Sequence, residues 1–436
     1  MYTFNRDEYN KRMEWYLDAR FGMFIHWGLY SIPARGEWVR SEEEIPKEDY
    51  MKYFEEFDPV DYDPREWARA AKEAGMKYVV LTAKHHDGFC LYDSQYTDFK
   101  STNTKCGRDL IKEYVEAVRA EGLKVGIYFT IIDWYHDDYP HYGDRQHPMR
   151  NNPEYKNDGR NFDNYLTYMH NQIREICTNY GKIDILWFDF SYDDLRGEAW
   201  RATELMDMVR SLQPEVIIDN RLECSGEGYG SLAACNPTPY HGDFVSPEQM
   251  IPPNGIQDVE GNDIAWEACV TMNNHWGFCA TDHFYKPASM LIKKLVECVS
   301  KGGNLILNVG PDVKGNIPEE SMEILREIGK WMKKNGESIY GCGKTEIAKP
   351  DYGRVTGKGN HRYFHLFENT IGPVPLLGVP KDRLKGIRYL ATGAEVPVSN
   401  SWVHSDYPDI VFADLGLDPI LPDQTDTVLD VILTEE

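Results

Sequence analysis

Apolar runs of strand length alternate with amphipathic helical stretches from about residue 20 to residue 310. This alternation is typical of a parallel sheet wrapped by helices, and so of an α/β fold. The strand candidates are Gly22 to Trp27, Tyr78 to Ala83, Val125 to Thr130, Ile183 to Phe188, Val216 to Ile218 and Leu305 to Val309. Helices are predicted between and after them at 63–74, 109–120, 162–180, 200–212, 288–300 and 319–334.

The chain is long enough for a barrel and a second, smaller unit. At 436 residues it exceeds a barrel of about 250 residues. After residue 340 the composition shifts to short apolar runs separated by turn residues, which predicts a small antiparallel β domain. We therefore assign residues 1–340 to the barrel and 341–436 to the β domain. The polar segment 221–263 is too extended for a simple connection and predicts a functional loop over the barrel mouth.

The charge balance disfavours several classes of partner. A formal charge of −24 and a pI near 5.0 repel phosphate groups, so neither nucleic acid nor an anionic membrane surface is expected as a partner. No apolar stretch approaches the roughly 18 residues of a membrane span, and the first residues lack the apolar core of a signal peptide, which favours a cytoplasmic location. The nine scattered cysteines show no CxxC spacing, so reduced thiols are expected.

A carboxylate at the end of a buried strand is the leading candidate for catalysis. Asp189 closes the apolar run 183–188, and barrel enzymes carry catalytic groups at the carboxyl ends of their strands. His26, His85 and His86 lie among aromatic residues at the ends of other predicted strands. Aromatic residues make up 13% of the chain, and their convergence with histidines and a carboxylate on one barrel face predicts a sugar pocket.

Each of these side chains also has a purely structural explanation. Asp189 could cap a helix, the pair His85 and His86 could belong to a packed turn, and His26 could be a hydrogen-bonded core histidine. Adjacent side chains on a strand point to opposite faces. One histidine of the pair is therefore expected to bend into the pocket while the other supports it, unless the strand ends there.

Neither a metal nor a nucleotide cofactor is expected. The chain has no HExxH motif, and His26 has no histidine two residues on, which disfavours a catalytic metal. Neither a Walker-type phosphate loop nor a dinucleotide fingerprint after a strand is found.

Cleavage of a glycoside needs two carboxyl groups, one on each side of the scissile bond. One stays ionised as the nucleophile, and the other holds a proton for the leaving oxygen. Asp189 supplies the first. For the second, Glu37, Glu248 and Glu267 all lie near aromatic or loop segments expected at the mouth, and the residue pattern does not choose among them.

Five motifs together resemble the α-L-fucosidases of glycoside hydrolase family 29. They are 21–28 (FGMFIHWG), 84–89 (KHHDGF), 187–189 (WFD), 242–249 (GDFVSPEQ) and 304–311 (NLILNVGP). The resemblance implies a catalytic (β/α)8-like TIM barrel followed by a small C-terminal antiparallel β-sandwich. It also implies hydrolysis of terminal α-L-fucosyl residues of oligosaccharides or glycoconjugates, with retention of configuration. Fucosylated glycans are then the expected partner, and a homo-oligomer is also considered.

The resemblance further implies a role for each site residue. Asp189 corresponds to the nucleophile and Glu248 to the general acid/base, with Glu267 as the reserve candidate. A retaining pair predicts a carboxyl separation of about 5 Å. Trp276 resembles the aromatic residue that closes over the methyl group of the sugar, and Arg221 a pocket arginine near the nucleophile. The substrate-binding positions implied are His26, Glu37, Trp38, His85, His86, Tyr128, Trp187, Arg221 and Trp276.

Phe190 departs from the family pattern, in which glycine commonly follows the nucleophile. A bulky ring at this position narrows or reshapes the site that receives the leaving group, so the preferred linkage stays open. Three other functions also stay open: hydrolysis of a related α-L-glycoside such as an α-L-galactoside, a metal-dependent amidohydrolase, and a sugar-binding protein without catalysis.

Overall fold

The computed structural model describes residues 4–140, 144–155, 157–400, 402–418 and 420–435. Its strands, in chain order from β1 to β13, are Phe21–Ile25, Tyr78–Lys84, Lys124–Thr130, Ile185–Asp189, Ile217–Ile218, Glu267–Thr271, Asn304–Val309, Gly353–Lys358, His361–Leu366, Val374–Leu376, Leu384–Tyr389, Val411–Ala413 and Thr427–Leu433. Its helices, from α1 to α11, are Arg6–Ala19, Val39–Glu42, Lys47–Glu56, Pro64–Glu73, Leu110–Ala120, Phe162–Asn179, Ala202–Leu212, Gly230–Ala233, Ala288–Ser300, Glu319–Asn335 and Val403–Asp406.

The first seven strands form one curled parallel sheet, in the order β5-β4-β3-β2-β1-β7-β6. Their residues are buried almost without exception, which explains why the sequence shows continuous apolar runs rather than an alternating pattern. The segment 244–248 makes parallel bridges to both edges of the sheet. Phe244 pairs with Asp219, just after β5, and Val245 pairs with Trp266, just before β6. The expected parallel sheet is thus confirmed.

Helix boundaries follow local capping chemistry. The side chain of Asp63 accepts a hydrogen bond from the backbone N–H of Arg65 at 2.9 Å, and Pro64 occupies the first turn of α4. Gly75, which follows the last turn, has a φ of +88°, a conformation that favours glycine. Predicted and observed helix bounds agree within two residues because such signals are local.

The C-terminal strands form two antiparallel sheets, in the orders β11-β13-β9-β8 and β10-β12. Apolar side chains from both sheets build one shared core, which includes Phe364, Leu429, Val374 and Val411. The antiparallel β unit expected from the sequence is therefore present. It lies against the first unit, where Thr356 donates a hydrogen bond to the backbone carbonyl of Ser338 at 2.7 Å.

Several features of the fold differ from the sequence prediction or were missing from it. Strand β1 ends at Ile25, two residues before the predicted end, and strand β4 begins at Ile185, two residues after the predicted start. Strand β6 and the helices α1 and α3 were not predicted. All nine cysteines are free thiols, as expected. Among the helices that the structure describes, none combines the length and apolar character needed to cross a bilayer.

Candidate active site

A cavity opens at the carboxyl ends of β1 to β4, where the sequence predicts the site. The space between its lining side chains is continuous with solvent. Its deep walls are fully buried histidine and aromatic side chains, and its rim carries half-buried rings and one exposed carboxylate. The lining residues are Phe24, His26, Trp38, His85, His86, Tyr128, Trp187, Asp189, Phe190, Glu248, Cys269 and Trp276.

Asp189 is the last residue of β4 and points its carboxylate into this cavity. The hydroxyl of Tyr128 donates to Oδ2 at 2.7 Å, and Nη1 of Arg221 donates to Oδ1 at 3.0 Å. Burial raises the pKa of Asp189 to about 6, whereas the charge of Arg221 opposes that rise and the charge of Glu248 adds to it. At neutral pH the carboxylate is therefore ionised and carries two hydrogen bonds.

Arg221 links the two carboxylates that the sequence singled out. Its Nη2 donates to Oε2 of Glu248 at 3.2 Å and to the backbone carbonyl of Ser246 at 3.1 Å, while its Nε donates to the hydroxyl of Ser246 at 2.9 Å. The guanidinium also lies over the ring of Trp187, 4.8 Å from the centroid. Burial lowers the pKa of Arg221, but the negative charges of Asp189 and Glu248 have the larger effect and hold this pKa above its usual value. One guanidinium thus contacts both carboxylates.

Three neutral imidazoles form the deep wall. Burial lowers the pKa of His26 to about 3 and the pKa values of His85 and His86 well below 6.5. Strand β2 ends at Lys84, so the two adjacent histidines are freed from strand alternation and both line the cavity.

The hydrogen bonds of His26 fix which of its nitrogens carries the proton. Its Nδ1 lies 2.7 Å from Oδ1 of Asn308, whose amide nitrogen donates to the backbone carbonyl of Trp276 at 2.7 Å. That second bond leaves Oδ1 as the acceptor, so Nδ1 of His26 is the protonated nitrogen. Its Nε2 is then available to accept a hydrogen bond. Asn308 was missed by sequence reasoning, although it sits in the predicted strand 305–309.

Glu37 supports the site from outside the cavity lining. Its Oε2 accepts hydrogen bonds from the backbone N–H groups of Trp276 at 3.1 Å and Gly277 at 2.8 Å. Burial raises its pKa, and the bond from Gly277 opposes that rise. The carboxylate expected to bind substrate therefore holds the backbone of the rim residue Trp276, whose ring lies 5.0 Å from that of His26.

The reserve acid/base candidate, Glu267, does not reach the cavity. It is the first residue of β6, where it pairs with Asn304, and so lies at the opposite end of the strands from Asp189. It is fully buried and accepts a hydrogen bond from the hydroxyl of Tyr78. The prediction that Glu267 could replace Glu248 was wrong, because a strand length separates it from the mouth.

Groups of side chains close enough to share a metal ion lie away from the cavity in the part of the chain that the structure describes. They are Cys235 with Asp258 and Glu260, and Glu337 with His361 and Asp430. None of these residues lines the cavity. In the second group, the guanidinium of Arg388 already forms ion pairs with Asp430 and Glu337.

Sequence comparisons identify the family of the chain and several relatives. The model of the α-L-fucosidase family matches residues 1–337. The α-L-fucosidase of Dictyostelium discoideum is 31% identical over 365 residues, which cover 75% of this chain and 71% of that protein. The human plasma α-L-fucosidase is 30% identical over 356 residues, covering 75% of this chain and 68% of that protein.

Solved structures extend the similarity to almost the whole chain. α-L-Fucosidase isoenzyme 1 from Paenibacillus thiaminolyticus has a TM-score of 0.95 and 56% identity, covering 98% of this chain and 100% of its own. A family 29 α-L-fucosidase from Bacteroides thetaiotaomicron, trapped as a covalent intermediate with 2-fluoro-fucosyl fluoride, has a TM-score of 0.82 and 28% identity, covering 97% and 96%. The chain belongs to the α-L-fucosidases of glycoside hydrolase family 29.

Proposed function

We propose that this protein hydrolyses terminal α-L-fucosyl residues of oligosaccharides or glycoconjugates with retention of configuration, using Asp189 as nucleophile and Glu248 as general acid/base. The observation that carries the proposal is the pairing of these two carboxylates through Arg221 in one cavity. The relatives support it further, because the Bacteroides enzyme was trapped as a covalent intermediate in a glutamate-to-glutamine variant.

The proposed reaction has two displacements. In the first, a carboxylate oxygen of Asp189 attacks the anomeric carbon while the carboxyl of Glu248 gives its proton to the departing oxygen, so that the C–O bond to the leaving group breaks. In the second, Glu248 takes a proton from water, the water oxygen attacks the same carbon, and the bond to Asp189 breaks. Before the first displacement and after the second, Arg221 and Tyr128 favour the ionised form of Asp189 and hold its carboxylate in place.

The cavity walls suit a deoxy sugar. Neutral histidines and Tyr128 offer directional donors and acceptors for adjacent hydroxyl groups. The rings of Phe24 and Trp276, whose centroids lie 6.0 Å apart, offer an apolar surface for a methyl group. A galactoside would place a hydroxyl against this surface, and so fucosides are the favoured substrates.

Further elements of the proposal concern the architecture. Segment 244–248 takes the place of an eighth strand, because it bridges the two edges of the seven-stranded sheet. With it the sheet closes into a (β/α)8-like barrel. Residues 1–340 form the catalytic unit and residues 341–436 a β-sandwich. The cytoplasmic location and a homo-oligomeric state stay predictions.

Hydrolysis of an aryl α-L-fucoside, followed by ¹H NMR of the first sugar released, tests the function. We expect the α anomer first, because two inversions restore the original configuration. Release of the β anomer first would contradict the double displacement. The matched α-L-galactoside should react more slowly. EDTA should leave the rate unchanged, whereas a metal-dependent amidohydrolase would lose activity.

A further inference from the structure

Phe190 follows the nucleophile and has a backbone conformation that bulky residues rarely adopt. Its φ is +92°, in a region that disfavours residues with a Cβ. Hydrogen bonds fix the chain on both sides. The N–H of Ile131 donates to the carbonyl of Asp189 at 2.8 Å, and the hydroxyl of Ser191 donates to the carbonyl of Leu222 at 3.2 Å. The fold therefore holds an aromatic ring at a position where glycine would be less strained.

The ring of Phe190 belongs to an aromatic cluster at the cavity rim. Its centroid lies 5.1 Å from the ring of His86, 5.8 Å from Trp38 and 5.0 Å from Tyr192, in edge-to-face contacts. Trp38 packs in turn on Trp134 at 5.6 Å. Phe190 and Trp38 are half-buried and line the cavity, whereas the histidine wall beneath them is fully buried. These two rings are thus placed to meet a group that enters or leaves through the opening.

The exposure of the two carboxylates indicates where the leaving group lies. The side chain of Glu248 is 40% exposed and that of Asp189 only 13%. The acid must reach the departing oxygen, so the leaving group lies on the solvent side of the cavity, next to Glu248. Trp38 and Phe190 are, with Trp276, the half-buried rings that line this cavity.

We propose that Phe190, together with Trp38, forms an aromatic wall for the leaving-group sugar and so determines which fucosides are cleaved efficiently. The proposal rests on the fucosidase function proposed above. A pyranose ring presents C–H groups on one face, and these pack on the face or edge of an aromatic ring. The favoured leaving group is therefore a sugar with a flat apolar face, rather than a small or strongly charged group.

A comparison of two substrates tests this role. α-L-Fucosyl fluoride has no leaving-group sugar and reports on the fucose site, whereas α-L-fucosyl disaccharides of defined linkage also report on the rim. In Phe190→Ala and Phe190→Gly, the ratio of kcat/KM for the best disaccharide to kcat/KM for the fluoride should fall about fivefold to tenfold. Most of the loss should be in KM. Phe190→Trp should retain the ratio, because it keeps an aromatic wall.

Controls separate this role from a structural one. His86→Ala removes a deeper cavity residue and should lower kcat/KM for both substrates, which leaves the ratio near that of the wild type. If Phe190→Ala behaves like His86→Ala, or if the ratio does not change in either Phe190 variant, the proposed wall is wrong. Failure of the wild-type protein to cleave the fluoride at all would instead reject the fucosidase function.

Discussion

Two carboxyl groups, at opposite ends of the same parallel sheet, are largely shielded from solvent but differ in what surrounds them. Asp189 ends β4 at the mouth, and Glu267 begins β6 at the floor. Burial raises the pKa of both, to about 6 for Asp189 and about 7 for Glu267. The carboxylate of Asp189 accepts a hydrogen bond from the guanidinium of Arg221 and faces the open cavity. Glu267 is enclosed by the barrel and accepts a hydrogen bond from the hydroxyl of Tyr78.

The comparison shows that burial alone does not identify a catalytic carboxylate. A nucleophile must be ionised at working pH and must reach its substrate, and Asp189 meets both conditions because of Arg221 and the cavity. Glu267 fails the second condition, because the barrel closes around it, and no cation is paired with it among the described residues. Burial favours its protonated form, whereas hydrogen bonds from Tyr78, Tyr16 and Trp187 oppose that shift.

The largest expected effect is at the mouth. Asp189→Asn removes the oxygen that we propose as the nucleophile and should lower kcat for an aryl α-L-fucoside roughly 10⁴-fold or more. The side chain keeps its size, so the melting temperature should stay close to that of the wild type. Steady-state kinetics and thermal unfolding measure the two effects. Near-normal turnover in this variant would remove Asp189 from the mechanism.

Glu248→Gln should produce the next largest loss, and its size should depend on the leaving group. General acid catalysis contributes ~10²- to 10⁴-fold, so fucosides with poor leaving groups should lose that much in kcat/KM. α-L-Fucosyl fluoride needs little protonation and should lose much less. Equal losses for both substrates would show that Glu248 does not protonate the leaving oxygen.

Arg221→Met removes the cation that is paired with Asp189 at the mouth and has no counterpart beside Glu267 at the floor. The ionised form of Asp189 is required, so wild-type kcat/KM should fall as the pH drops through about 6. Without the opposing charge of Arg221 the pKa of Asp189 rises further, and the acid limb should move to higher pH, with roughly a 10-fold to 100-fold loss at pH 7. Arg221→Lys keeps the charge and should move the limb less. An unshifted limb in Arg221→Met would contradict the pairing.

Glu267→Gln should affect stability rather than turnover. The folded pKa, about 7, lies above the ordinary 4.5, so the folded protein holds the proton more tightly and wild-type stability falls as the pH rises between these values. The amide does not titrate, so the variant should lose less stability across this window, by up to about 3 kcal/mol at pH 8. Denaturant unfolding at pH 5 and pH 8 measures the difference. A large fall in kcat at pH 5.5 would instead give Glu267 a role in catalysis.

The sequence identified the mouth well because its signals are local. Asp189 and the histidines lie at or just after the ends of strands that are buried on both faces. Because the carboxyl ends of parallel strands meet at the same end of a barrel, these side chains were expected to lie together. The six helices predicted from 63 onward were found for a similar reason, since caps such as Asp63 act within one turn, whereas α1 and α3 were not predicted.

The floor and the supporting contacts depend on long-range packing and were not predictable. Glu267 looked like a mouth residue because β6 was not recognised, and only the strand reveals that this residue stands at its beginning. Glu37 and the backbone it holds at Trp276 lie 239 positions apart in the chain. No sequence pattern predicts that this carboxylate binds backbone N–H groups rather than sugar hydroxyls.

Covalent trapping tests the assignment of the nucleophile most directly. The wild-type protein would be incubated with 2-fluoro-fucosyl fluoride, digested and analysed by mass spectrometry. We predict one added 2-fluoro-fucosyl group, carried by the peptide that contains Asp189 and absent from the Asp189→Asn variant. A label on any other carboxylate, or continued turnover of the reagent without a labelled peptide, would contradict the account.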